Sequence, residues 1–216
     1  MSGVGDERPI FAPDPGGVAA AARCLDQGGI LAIPTDTVFG LGVAAGDRAP
    51  AARLARVKGR SPLQPVILMA ASPAALLPFV GWTALAQGFG ERHWPGPLTL
   101  ILAASAAGRR LGGPGTIAVR VPALPLLVAL LEQSGPLATT SANRHGEPPV
   151  TSAAAALRAL PLIDAALQRP AGPAGPGIPS SILDCTADRP VLVRVGALDA
   201  SALGLAGGDH GSTGSA

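Results

Sequence analysis

Residues 28–42 read Gly28-Gly-Ile-Leu-Ala-Ile-Pro-Thr-Asp-Thr-Val-Phe-Gly-Leu-Gly42, an apolar run that meets a proline and then small hydrogen-bonding side chains. Ile30, Leu31, Ala32 and Ile33 are continuous rather than alternating, the pattern of a strand buried on both faces. Such strands belong to α/β sheets, which bind ligands beyond their carboxyl ends. Thr35, Asp36 and Thr37 emerge at that end, so two hydroxyls and a carboxylate are expected to line a cleft. Taken alone, the same residues also fit a turn in which Thr and Asp bond their own backbone.

Two further junctions of the same kind follow. One is Pro136-Leu-Ala-Thr-Thr-Ser-Ala-Asn143; the other is Pro179-Ser-Ser-Ile-Leu-Asp184, where the hydroxyls stand at the strand's entry. Cations accompany them. Lys58-Gly-Arg60 closes a helical pattern whose apolar members are Ala52, Leu54, Ala55 and Val57, and Arg120 and Arg194 interrupt the apolar strands 117–121 and 191–195. A guanidinium inside such a strand is costly to bury without an anion beside it, although a paired structural arginine answers the same pattern. Hydroxyl clusters and isolated cations together describe a pocket for a polyanion.

Helical patterns at 18–27, 50–57, 83–92, 124–133 and 151–159 alternate with strands near 30–34, 65–69, 98–103, 116–121, 137–140, 181–184 and 191–194. The alternation predicts an α/β fold: a twisted, mixed, open sheet with flanking helices. Residues 1–15 and 205–216, rich in Gly, Ser, Pro and Asp, read as flexible tails around one domain over 16–204. The segment 170–179, with four prolines and three glycines, reads as a loop that folds over the pocket or as a passive connector.

At 216 residues, 48% of them apolar, the chain buries one sizeable core. No apolar run reaches the ~18 residues that cross a bilayer, and the first residues carry Asp6, Glu7 and Arg8, so no membrane contact and a cytoplasmic location are the expectation. Cys24 and Cys185 lack any Cys-x-x-Cys spacing, the three histidines are scattered, and no metal-ligand set is expected. Neither a Gly-x-x-x-x-Gly-Lys-Ser/Thr loop nor a Gly-x-Gly-x-x-Gly fingerprint is present, so a nucleotide would bind by another route. A net charge of +2, no Tyr and few aromatics argue against a dedicated RNA platform.

From about Asp26 to Gly196 the chain resembles the YrdC-like threonylcarbamoyl-adenylate synthases. The resemblance rests on Pro34-Thr-Asp-Thr-Val-Phe-Gly-Leu41, Lys58-Gly-Arg60, Trp94-Pro-Gly-Pro-Leu-Thr99, Thr116-Ile-Ala-Val-Arg-Val-Pro122, Thr140-Ser-Ala-Asn143, Pro179-Ser-Ser-Ile-Leu-Asp184 and Val193-Arg194, in the family's order. Phe39, Gln64, Ser181 and His145-Gly146 depart from the family's usual Tyr, Asn, Thr and Ser-Gly, and a histidine that some members carry near Met69 is missing. The resemblance implies a YrdC/RibB-like α/β sandwich. It implies that L-threonine and bicarbonate or CO2 form an N-carboxylated threonine whose carbamate attacks the α-phosphorus of ATP. The products are threonylcarbamoyl-AMP and pyrophosphate, and the adenylate passes to a partner transferase that modifies tRNA.

It further implies Thr37, Arg120, Thr139 and Ser180 as threonine-binding residues. Lys58 and Arg60 would be catalytic and would bind ATP together with Gln64, Thr116, Ser141, Asn143 and Arg194. Mg²⁺ is expected with ATP, held mainly by phosphates and water, because Asp36 is the only motif carboxylate near the expected triphosphate. Two alternatives remain: an RNA-binding or ribosome-assembly module of the same fold with a weak contact to tRNA or other RNA, and an enzyme making a carbamoyl-adenylate from carbamoyl phosphate. The 94–99 segment reads as a packing and turn element.

Overall fold

Leu31, Ala32 and Ile33 are all buried and form β2 (Leu31–Ile33), the strand expected from the opening stretch. On one side it lies parallel to β9 (Ala165–Leu167), on the other antiparallel to β3 (Gly40–Ala44). The computed structural model describes residues 8–46, 49–59, 61, 66–111, 115–144, 146–172 and 177–205. The remaining strands are β1 (Ile10–Phe11), β4 (Ile67–Met69), β5 (Val80–Gly81), β6 (Leu98–Ala104), β7 (Thr116–Arg120), β8 (Leu137–Ser141), β10 (Ser181–Asp184) and β11 (Val191–Arg194). Among the described residues they make one 11-stranded mixed sheet in the order β1-β9-β2-β3-β8-β4-β7-β6-β10-β11, with β5 paired to β6.

Helices cover both faces, as the alternating pattern predicts. Alternation along β2 decides which core each side chain joins. Leu31 and Ile33, with Leu137 and Met69, pack under Val18 and Leu25 of α1 (Pro15–Asp26) and Leu127 and Leu130 of α5 (Pro125–Ser134). Ala32, with Leu41 and Ala138, packs against Leu54 and Val57 of α2 (Pro50–Lys58) and Ala156 and Leu157 of α6 (Ala153–Ala159). A third cluster holds Leu68, Leu100 and Trp94 against α3 (Ala84–His93) and the 3-10 turn Ala74–Phe79, near the short α4 (Ala106–Arg109). Each large side chain buried this way contributes roughly 1.5–3 kcal/mol of transfer free energy.

Helix α1 starts where Asp14 accepts a bond from the Gly17 amide at 2.8 Å and Pro15 fills the first helical position. Helix α2 ends at Gly59, whose φ of 63° is left-handed.

Two expectations need correction. The tail over residues 1–15 is ordered from residue 8 onward. β1 pairs in parallel with β9, and the Arg8 guanidinium donates to the carbonyls of Leu157, Leu160 and Ile163 at 2.6, 2.9 and 3.1 Å. Those carbonyls end α6 and its following turn, where a cation is favoured by the unpaired C=O groups. At the other end, Leu205 is also ordered: its amide donates to the Ala200 carbonyl at 2.9 Å and its side chain packs on the third cluster. Residues 1–7 and 206–216 lie outside the described residues.

Strand β3 was not expected, because Gly40 and Gly42 lower strand propensity. Both sit where a side chain would be tightly crowded. A Cβ on Gly42 would stand 3.3 Å from Ile33 and Leu137, and one on Gly40 would stand 3.2 Å from the Thr140 carbonyl.

Candidate active site

Sheet register brings the expected site residues onto one face. Thr139 of β8 is paired with Ile67 of β4, Ile67 with Ala118 of β7, Ala118 with Ile101 of β6, and Met69 with Arg120; Thr99 is paired with Ile182 of β10, and Ile182 with Arg194. Because side chains alternate, all of these point to the same side of the sheet, together with Ser141 and Thr116. Helices α1 and α5 cover this face over β1, β9, β2, β8 and the end of β4. Beyond them a cavity of about 600 Å³ remains, with Ile67, Ile101, Ala118 and Ile182 as its apolar floor. The loop after β2 supplies a wall, so the strand-end cleft expected from the sequence is the rim of a larger basin on the sheet's face.

At one end of the basin stands Arg120, only 2% exposed. Its Nε donates to the Gly96 carbonyl at 3.0 Å and its Nη1 to Thr37 Oγ1 at 3.0 Å. Its Nη2 lies 2.8 Å from Asp36 Oδ2, a close ion pair in which no N–H is aligned with the carboxylate. Desolvation lowers the Arg120 pKa from its ordinary value, Asp36 opposes that, and the nearby positive charge of Arg194 adds to it. The loop is locked from within. Thr35 Oγ1 donates to the Val38 carbonyl at 2.7 Å, accepts from the Thr37 amide at 3.0 Å and lies 3.0 Å from Thr37 Oγ1. The turn reading of these threonines therefore holds alongside the site reading.

The Trp94–Thr99 segment does more than fill core. Gly96 presents its carbonyl to Arg120, and a Cβ there would meet the His93 carbonyl oxygen at 2.3 Å, so only glycine fits. The Trp94 indole N–H donates to the Leu98 carbonyl at 2.7 Å, and Thr99 Oγ1 lies 2.8 Å from Ser180 Oγ.

The basin's other wall comes from β10 and β11. Arg194 donates through Nε and Nη2 to the Ser180 carbonyl at 3.1 and 2.8 Å, and both residues line the cavity. Ser181 faces away and accepts from the amides of Gly196 and Leu198 at 3.0 and 2.9 Å. Arg194 is exposed as a residue, yet its head is packed on Ser180, and this desolvation pulls its pKa down.

A third corner is built on Lys58. Its Nζ donates to the Ser141 carbonyl at 2.7 Å, to Ser141 Oγ at 2.9 Å and to Asn143 Oδ1 at 2.6 Å. Lys58, at the end of α2, is only 5% exposed. It is a buried strut whose ammonium sets the geometry of Ser141 and Asn143.

Thr37, Arg120, Thr139, Ser180, Thr116, Ser141 and Arg194 all border the cavity, while Lys58 and Asn143 support it through Ser141. Thr139 Oγ1 donates to the Ile67 carbonyl at 2.8 Å. Arg60 and Gln64 lie outside the described residues. Asp36 is the counter-ion of Arg120. Sequence reading assigned no site role to Thr99, Gly96 or Arg169, or to the apolar floor. Thr99 and Gly96 lay inside a quoted motif; Arg169 carried no signal, since it follows a short strand that the pattern did not reveal.

A family model described as "Telomere recombination" (Sua5/YciO/YrdC) matches residues 23–196, which is most of the chain. The chain belongs to the Sua5/YciO/YrdC family. Among Sua5/YciO/YrdC relatives, a threonylcarbamoyl-AMP synthase of Bacillus subtilis (strain 168) is 36% identical over 191 residues, spanning 84% of this chain and 54% of the relative. One from Alkalilimnicola ehrlichii is 43% identical over 136 residues, spanning 62% of this chain and 70% of that relative. The solved structure of Pyrococcus abyssi Sua5 complexed with L-threonine superposes with a TM-score of 0.81 at 34% identity, covering 88% of this chain and 58% of that one. The chain thus spans a little over half the length of the first and the last of these. The expected family and the α/β fold are both borne out, and no helix among the described residues is long and apolar enough to cross a membrane.

Proposed function

We propose that this chain is a threonylcarbamoyl-AMP synthase, joining L-threonine, bicarbonate or CO2 and ATP into threonylcarbamoyl-AMP with release of pyrophosphate. The observation that carries the reading is the buried Arg120, braced by Thr37, Asp36 and Gly96, at one end of a basin of about 600 Å³ whose other corners are Ser141 with Lys58, and Arg194. A guanidinium fork held in this way suits a carboxylate, and the basin's volume is that of a small-molecule site. Support also comes from the family relatives named for this activity and from the threonine-bound P. abyssi Sua5.

In this reading Arg120 receives the carboxylate of threonine, and Thr37, Thr139 and Ser180 surround its side chain and amino group. The apolar floor of Ile67, Ile101, Ala118 and Ile182 takes the flat part of the nucleotide. Thr116, Ser141, Asn143 and Arg194 line the path of the phosphates, with Arg60 and Gln64 assigned there by their motif positions. The amino group loses a proton and bonds to CO2. One carbamate oxygen then bonds to the α-phosphorus of ATP as the bond to pyrophosphate breaks. Positioning and charge stabilisation supply the catalysis, because the protein need form no bond of its own.

Mg²⁺ is proposed with ATP, where it would neutralise phosphate oxygens. Among the described residues no three of His, Cys, Asp and Glu come together, and Asp36 is engaged by Arg120. The residues therefore fit an ion carried by phosphates and water rather than a protein cage. A transferase that consumes the adenylate on tRNA is the proposed partner, and a cytoplasmic setting follows from that role. The deciding assay is pyrophosphate release from ATP with threonine and bicarbonate omitted in turn. Loss of release on either omission is expected; release with carbamoyl phosphate in place of both would refute the reading.

A further inference from the structure

Arg120 presents a problem of charge. Its guanidinium is buried beside Asp36 Oδ2 at 2.8 Å, and neither Asp36 oxygen has an aligned hydrogen-bond donor among the described residues. A cation already neutralised by its own carboxylate attracts a second carboxylate weakly, since the arriving anion meets the repulsion of the first. An amino-acid subsite made of Arg120 and Asp36 alone would carry no net charge.

The missing charge stands beside the same loop. β2 and β9 run in parallel with Leu31 paired to Ala165 and Ala32 to Ala166, so the chains leave the sheet side by side and Arg169 arrives level with Thr35. Arg169 Nη2 donates to the Thr35 carbonyl at 2.7 Å, and its guanidinium carbon lies 5.5 Å from the centre of the Phe39 ring. The head is thus clamped between the residue before Asp36 and a ring that borders the cavity. Burial lowers the Arg169 pKa from its ordinary value while Asp36 opposes that, as expected for a cation within the field of that carboxylate.

We propose that Arg169 is a positioning and charge-balancing residue of the amino-acid subsite: it shares the Asp36 charge and so leaves Arg120 free to pair with the substrate carboxylate. This rests on the synthase reading for the identity of the substrate. Arg169 touches the motif loop and not the reacting atoms. Among the described residues Arg194, whose charge also acts on Arg120, donates to the Ser180 carbonyl rather than to the loop that carries Asp36.

The test is titration of the full chain with L-threonine and with L-threoninol, which lacks the carboxylate. Arg169→Met is expected to weaken threonine about tenfold and to leave threoninol unchanged, the effect of one screened charge a short distance away. Arg169→Lys is expected to recover most of the loss. Adding Asp36→Asn to Arg169→Met is expected to restore threonine affinity, because Arg120 then faces no competing carboxylate; a merely structural clamp predicts additive losses instead. In turnover, the KM for threonine rises while kcat and the KM for ATP hold. Equal losses for threonine and threoninol, or a double variant worse than Arg169→Met, overturn the proposal, as does a wild type that binds neither ligand. A wild type that binds threonine but releases no pyrophosphate refutes the synthase reading alone, and the titrations still decide the role of Arg169.

Discussion

Replacing Lys58 by Met is expected to cost stability as well as activity. Among the described residues the ammonium donates to the Ser141 carbonyl, Ser141 Oγ and Asn143 Oδ1, at 2.7, 2.9 and 2.6 Å. Bonds to a charged group contribute about 1.5–3 kcal/mol each, so a simple sum would exceed 4 kcal/mol. Two corrections reduce it. Asn143 Oδ1 keeps a second donor in Ser141 Oγ at 2.6 Å, and removing the ammonium also removes the cost of burying a charge. A net loss of about 2–3 kcal/mol remains, which for a chain of this size lowers Tm by roughly 4–12 °C. Met keeps the stem's packing against the core, so the loss isolates the ammonium. Differential scanning calorimetry gives the first readout and pyrophosphate release the second, where a fall of at least about a hundredfold is expected from the misplaced Ser141 and Asn143. An unchanged Tm with lost activity would refute the strut and return Lys58 to a purely phosphate-facing role. An unchanged activity would refute the site.

Arg120→Met is expected to destabilise the fold by about 3 kcal/mol, because Asp36 loses its closest counter-ion, and Asp36→Asn in the same chain should recover much of that in urea unfolding. The proposed threonine site should reject 2-aminobutyrate far more strongly than serine, since a missing hydroxyl leaves buried polar groups unpaired while a missing methyl costs roughly 1 kcal/mol; pyrophosphate release with the three amino acids checks the order. Gly96→Ala should lower both stability and threonine affinity, because a Cβ would strike the His93 carbonyl at 2.3 Å and displace the acceptor of Arg120; equal behaviour to wild type in calorimetry and titration would refute it. Burial and the neighbouring Arg92 hold the His93 pKa below its ordinary value. The unfolded chain then takes up that proton first as pH falls, so stability should drop below about pH 6.5, and His93→Gln should flatten this part of the stability–pH curve.

Much of the fold was legible because its strongest elements are long or purely apolar. Residues 30–33 could be read as a buried strand without any partner in view, and the helical pattern at 124–133 corresponds to α5, which has Pro125 at its start and Gly135 past its end. The hydroxyl and cation motifs likewise named most of the residues that border the basin, since chemistry of that kind survives in local order. What local order cannot carry is pairing across the chain. β3 and β9 are short or glycine-bearing and owe their existence to neighbours: Gly42 to the closeness of Ile33 and Leu137, β9 to lying between β1 and β2. Arg8 looked like part of a loose tail because the carbonyls that hold it lie about 150 positions away at the end of α6.

The same division runs through the site. Sequence alone determined which side chains bring charge and hydroxyls, and in what order. Only the tertiary structure decided which of them share a face, because strand register sets Thr139, Ile67, Ala118 and Ile101 side by side on the floor. It also decided which charges cancel. Asp36 and Arg120 are 84 positions apart in the chain and 2.8 Å apart in space, and the Coulomb energy depends on the second separation alone.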